Sequence, residues 1–403
     1  MDGLSDPNAA LLADFYRGEQ RALARVISKI ENRDPGYRTL LSELYPQTGA
    51  TPIVGITGSP GAGKSTLVDT LTKQYRDNDE TVGILAVDPS SPYTGGSVLG
   101  DRIRMGSAAG DMGVFIRSMS ARGTLGGLSM ATADALVALD AFGIDRILIE
   151  TVGAGQNEVD IVETADTVVV VVQPGSGDDI QLLKAGILEI GDLFVVNKAD
   201  MAEASKTVAD LETMIHLQAS PDKPGQLGHH GSDTAFDSHA PSDDQNGAAD
   251  GQTPPEDSDD SSNRTDPTNK TNQSNRIDPT NKTNQSNRID PWTPPVIETV
   301  ATTGDGVPAL ASAIEDHRQY LDRSGESDAR SHQRAVATVQ RLLQRDLGSL
   351  SEQLLTVHGG VDELATAIAN RETDPYTVVA EIVDPLESAV GKHRDRSTSE
   401  SDR

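Results

Sequence analysis

The chain has 403 residues, no cysteine, and a formal net charge of −28 from 62 acids against 34 bases. The missing cysteine excludes disulfides, thiolate metal sites and cysteine nucleophiles, and a surface this acidic argues against nucleic acid or an anionic membrane as partner. The length suffices for one large domain or two to three smaller ones with a substantial core.

The acids are spread along the whole chain. That fits adaptation to a very salty interior, where screening removes the self-repulsion, better than one acidic face for a basic partner. The N-terminal stretch lacks the basic start and apolar run of a signal peptide, and no apolar run approaches a membrane span. A cytoplasmic protein is expected.

Residues 8–46 carry apolar side chains at helical spacing (Leu11, Leu12, Phe15, then Leu23, Val26, Ile27, Ile30). They predict an N-terminal helical arm over 1–48. From about 51 to 200, short β-branched runs alternate with helical stretches: PIVGITG, TVGILAVD, DRILIET, TVVVVVQP and LFVVNKAD. Their continuous apolar character suits strands buried on both faces. The expected fold is α/β, a mostly parallel doubly wound sheet over 49–218 and 292–325, flanked by the arm and by C-terminal helices.

Residues 219–291 break this pattern, being rich in Ser, Asp, Asn, Thr, Pro and Gly. NRTDPTNKTNQS is followed by NRIDPTNKTNQS and NRIDP, a period of 12 residues. That is too short and too polar to stack into a solenoid. A disordered insertion in a surface loop is expected, since loop closure costs little more as a loop lengthens. After it come a final strand, a glycine-containing turn and a helix. Helical patterning through Val336, Val339, Leu342, Leu343 and Leu347 then predicts a helical region over 326–403 for packing on the arm or for dimerisation.

GSPGAGKST at 58–66 matches the P-loop pattern and sits between an apolar strand and a helical stretch, where that motif must sit. The expected phosphate cradle is Gly58, Pro60, Gly61, Ala62, Gly63, Lys64, Ser65 and Thr66. Backbone N–H groups and a helix N-terminus there point at the anion. Lys64 would reach the β- and γ-phosphates and Ser65 would supply a hydroxyl to Mg²⁺.

NKAD at 197–200 follows a strand and matches the guanine-reading motif of GTPases. The Asp200 carboxylate can accept both N1–H and N2–H of guanine, a pair of donors that adenine lacks. Asn197 can hold the loop and Lys198 can lie along the base. ATTGDG, with Thr302 and Thr303, is a looser match to a second guanine loop. ETVGAGQNE at 150–158 places an acid, Glu150, three residues before Gly153, the spacing of a γ-phosphate sensor. No glutamine directly follows Gly153, and Gln156 is not assigned to orient water.

GSPGAGKST, VDPSSPYTGGSVLGDRIRM, ETVGAGQNE, PGSGDDIQLLKAGILEI and NKAD resemble, in order and spacing, the MeaB/ArgK GTPases, G-protein chaperones associated with methylmalonyl-CoA mutase. The resemblance covers about 10–218 and 292–350. It implies a GTPase that binds GTP, GDP and Mg²⁺, acts as a homodimer, and loads or protects a cobalamin-dependent acyl-CoA mutase. By position it implies that Asp88, Asp101 and Glu150 surround Mg²⁺, that Lys64, Asp101 and Glu150 serve catalysis, and that 88–105 and 150–158 are switches. Asp178 and Lys184 match the charged residues of a third switch. Arg102 and Arg104 face either phosphate or the surface. Three rivals stay open, one of them a scaffolding protein with a dead nucleotide site, which would show no turnover even with its mutase present. A small-molecule or protein kinase, as in an older arginine/lysine transport description, would need a phosphoryl acceptor site. A nickel metallochaperone would want His/Cys clusters, and His229 and His230 fall in the insertion.

Overall fold

A computed structural model describes residues 6–88, 110–120, 130–151, 161, 164–175, 188–219 and 289–401. The chain divides into two units, Met1–Gln218 with Pro291–Arg403, and Ala219–Asp290, the latter almost wholly outside the described residues.

Seven strands form one sheet: β1 (Ile53–Gly58), β2 (Val82–Asp88), β3 (Val114–Ser120), β4 (Arg146–Thr151), β5 (Thr167–Val172), β6 (Leu193–Asn197) and β7 (Val296–Thr299). Their order is β3-β2-β4-β1-β5-β6-β7, and every pairing is parallel. From β1 the chain winds first towards β2 and β3, then returns through β4 and crosses to β5, β6 and β7. The winding therefore reverses beside β1, the position where ligands gather in open α/β sheets.

The continuous apolar runs arise because both sheet faces are covered. On β5, Val168, Val170 and Val172 enter one core, while Val169 and Val171 enter the other. The first core is closed by the helices α1 (Asp6–Tyr16), α2 (Gln20–Asn32) and α3 (Tyr37–Leu44), by α5 (Met130–Phe142) and by α6 (Ala204–Ala219). The second is closed by α4 (Lys64–Arg76) and α7 (Val307–Ser324). Leu23, Val26, Ile27 and Ile30 recur on one side of α2 and are all buried, giving that helix the apolar stripe by which it packs on α5.

The sequence patterns left out β3. Its residues VFIRSMS break the apolar run with Arg117, Ser118 and Ser120, because β3 is the edge strand and pairs with β2 alone.

Three further helices follow α7: α8 (Glu326–Val357), α9 (Val361–Ala369) and α10 (Pro375–Ser401). Polar contacts hold α8 to the body. Arg330 donates to Asp192 at 3.0 Å, Arg334 pairs with Asp166, and Arg38 of α3 grips Asp346 through both terminal nitrogens at 3.0 and 2.8 Å. Val336, Val339, Leu343 and Leu347 of α8 stay exposed. The single tryptophan anchors the segment leading to β7: Trp292 Nε1 donates to the Asp192 carbonyl at 2.8 Å and the ring packs on His317. Among the described residues no helix is long and apolar enough to cross a membrane.

Candidate nucleotide site

The predicted motifs meet at the C-terminal ends of β1, β4 and β6. After Gly58 the chain turns sharply, with the Ala62 amide donating to the Ser59 carbonyl at 3.2 Å, and enters α4 at Lys64. The first turn of α4 carries no acid, and no side chain caps it. Its positive dipole end is thus left for an external anion. Lys64 is 6 % exposed, and its ammonium donates to the Gly58 carbonyl at 2.7 Å and the Ser59 carbonyl at 2.9 Å. The side chain folds back over the loop, carrying a nearly buried positive charge to it.

Glu150, in β4, is 5 % exposed. Its carboxylate accepts from Ser65 Oγ at 2.5 Å. Beside them, Thr151 Oγ1 donates to Thr57 Oγ1 at 3.2 Å, tying β4 to β1 just below the loop. A hydroxyl and a carboxylate in contact form a hard-oxygen pair, the donor chemistry that Mg²⁺ prefers. Asp88 is the last residue of β2. Asp101, Gly153, Asp178 and Lys184, together with Arg102, Arg104 and Gln156, lie outside the described residues.

Asn197 holds the loops together. It is 2 % exposed. Its Nδ2 donates to the Ala62 carbonyl in the phosphate loop at 2.8 Å. Its Oδ1 accepts from Thr299 Oγ1 at 3.1 Å and from the Ala301 amide at 3.1 Å. Gly63 makes room for this contact: with φ at +92°, a side-chain carbon there would lie 2.3 Å from Asn197 Nδ2. One side chain thus ties the phosphate loop, the NKAD turn and the ATTGDG turn. Thr70 of α4 adds a second tie, donating to the Ala301 carbonyl at 2.7 Å. Thr302 and Thr303 are exposed in that turn, and Thr303 Oγ1 donates to Asp305 at 2.7 Å.

Lys198 has a left-handed backbone, φ +60°. Its ammonium donates to the Gly61 carbonyl at 2.8 Å and to Gln173 Oε1 at 2.8 Å. Asp200, two residues on, is exposed, leaving its carboxylate accessible to a ligand. Sequence reasoning singled out Lys64, Ser65, Glu150, Asn197 and Lys198, and the fold assembles these. It passed over Thr70, Gln173 and Thr299. Gln173 leaves one signal, a lone polar residue ending an unbroken valine run. Thr70 and Thr299 leave none.

The comparisons with known proteins agree with this geometry. Residues 23–354 match the family model described as methylmalonyl-CoA mutase-associated GTPase MeaB. A putative GTPase of Pyrococcus abyssi is 39 % identical over 367 residues, spanning 91 % of this chain and 93 % of that protein. The GTPase ArgK of Escherichia coli K12 is 39 % identical over 201 residues, 48 % of this chain and 61 % of that one. A crystal structure described as an LAO/AO transport system kinase covers 95 % of this chain and 99 % of its own, at 20 % identity and a TM-score of 0.58, and shares the fold. With a P-loop, a guanine-type motif and an all-parallel sheet arranged as such an enzyme requires, the chain belongs to the MeaB family of methylmalonyl-CoA mutase-associated GTPases.

Proposed function

We propose that this GTPase serves as a chaperone of an adenosylcobalamin-dependent methylmalonyl-CoA mutase or a related acyl-CoA mutase, with GTP hydrolysis gating cofactor loading or protection. The observation that carries the reading is the Asn197 tether, which makes the phosphate loop and the guanine-reading loops one unit. The family's description supplies the mutase.

In this reading Lys64 and the N-terminus of α4 neutralise the β- and γ-phosphates, and Asp200 reads the guanine edge. Thr302 and Thr303 line the second guanine loop. Ser65 and Glu150, with Asp88 and Asp101, would hold Mg²⁺. That ion would offset phosphate charge in the loose transition state of phosphoryl transfer. Water attacks the γ-phosphate in line, and loss of that phosphate releases the switch segments at 88–105 and 150–158 and the third one carrying Asp178 and Lys184. The exposed apolar residues along α8 favour a homodimer through the 326–403 region. The acidic surface suits a very salty cytoplasm.

The test is phosphate release and pull-down with the cobalamin mutase from the same cells, in high salt, using the full chain, the chain lacking 219–291, and Lys64→Ala. The expected result is acceptor-independent turnover by the first two proteins, none by Lys64→Ala, and nucleotide-dependent retention of the mutase. Phosphate release only when a small-molecule acceptor is added would assign a kinase instead. Failure to retain the mutase with any nucleotide would refute the chaperone role.

A further inference from the structure

We infer that Gln173 is a positioning residue for nucleotide recognition and that it acts through Lys198. This rests on the nucleotide-site reading given above.

Gln173 is the first residue beyond β5. The next strand over, β6, leads directly into Lys198, and the two strands are paired up to Val172 and Val196. That register brings the Gln173 side chain within reach of the lysine. Lysine has three donors, no acceptor and a flexible four-carbon stem. Left alone, it would spend its rotamer freedom in solvent and have to be ordered each time a nucleotide bound. Here two acceptors on two different elements fix the ammonium, the Gly61 carbonyl and Gln173 Oε1, both at 2.8 Å. The left-handed backbone of Lys198 aims the stem from the start. With both ends held, the apolar stem bridges the NKAD turn and the phosphate loop. Ordering paid in advance raises affinity without adding a contact.

Gly61 belongs to the phosphate loop and cannot be varied without altering phosphate binding. Gln173 belongs to neither the phosphate loop nor the NKAD turn, so varying it leaves the residues of both in place. Gln173→Met keeps length and volume but removes the acceptor. Gln173→Glu keeps an acceptor and strengthens it with charge.

The experiment measures GDP and GTP affinity, steady-state KM and kcat, and the preference for GTP over xanthosine triphosphate. It uses the full chain as wild type, Gln173→Met, Gln173→Glu, Lys198→Ala and the Gln173→Met/Lys198→Ala double variant. The expected result is about a tenfold loss of affinity and rise in KM for Gln173→Met, with kcat within about twofold. Gln173→Glu should return wild-type binding. Base preference should not change, because Asp200 reads the edge of the base. In the Lys198→Ala background, Gln173→Met should have no further effect, since coupled residues are non-additive. An equal loss in both backgrounds would show that Gln173 only supports the strand, and a silent Gln173→Met would show that the tether is idle; either overturns the proposal while leaving the nucleotide site standing. Absence of saturable GTP binding by the wild type would overturn both.

Discussion

Asn197→Ala tests the tether at the centre of the site. The substitution removes three hydrogen bonds: Nδ2 to the Ala62 carbonyl at 2.8 Å, Thr299 Oγ1 to Oδ1 at 3.1 Å, and the Ala301 amide to Oδ1 at 3.1 Å. Each contributes about 1 kcal/mol net in a folded protein, and a buried partner left unmatched costs more. All three partners are buried, with Ala62 at 0 %, Thr299 at 1 % and Ala301 at 4 % exposure. The loss is therefore about 3 kcal/mol, a large part of the roughly 5–15 kcal/mol that holds a typical domain folded. As an equilibrium constant this is about two orders of magnitude. Urea unfolding at high salt reads it through Trp292, the single tryptophan, which is anchored on Asp192 in the same domain. Guanine-nucleotide affinity should fall in parallel, because the phosphate loop and both base loops lose their common anchor. Asn197→Asp keeps the acceptor but sets a buried carboxylate against the Ala62 carbonyl, so it should be no more stable than the alanine variant. An Asn197→Ala protein within about 0.5 kcal/mol of wild type, with unchanged GDP affinity, would show that the tether carries no energy.

Asp200→Asn should weaken GTP by about a hundredfold while improving xanthosine triphosphate, whose edge offers the complementary group; competition binding reads this, and equal losses for both nucleotides would remove Asp200 from base recognition. Glu150→Gln removes the buried charge beside Ser65 and should raise the Mg²⁺ concentration for half-maximal hydrolysis at least about tenfold, as seen in a Mg²⁺ titration at saturating GTP. Asp134 of α5 gives a pH prediction. Burial pushes its pKa from the ordinary 3.8 up to about 6, against the pull of Arg345, Arg33 and Arg341. The native state thus binds this proton more tightly than the unfolded chain does. The resulting penalty is absent below about pH 4, grows as pH rises to about 6, and is complete above that. Asp134→Asn should stabilise the protein at pH 8 by up to about 3 kcal/mol and change little at pH 4. Denaturation at the two pH values checks it, and a gain of the same size at both would exclude titration as its origin.

The sequence by itself marked most of the elements and the two nucleotide motifs. Unbroken β-branched runs mark strands covered on both faces, and the helical spacing of Leu23, Val26, Ile27 and Ile30 marks a helix with one buried side. GSPGAGKST and NKAD could be read because each is contiguous and each ends a strand. Local pattern reports burial and local backbone, and those motifs depend on little else. Strand β3 escaped because an edge position leaves it without that pattern. Only the tertiary structure decided which strands are neighbours, and so which distant residues meet. Ser65 reaches Glu150 across 85 positions, and Asn197 reaches Ala62 across 135. Gln173 faces Lys198 because β5 and β6 are adjacent and in register. Such contacts are set by crossover direction and strand register, properties of the whole sheet that no short stretch of sequence carries.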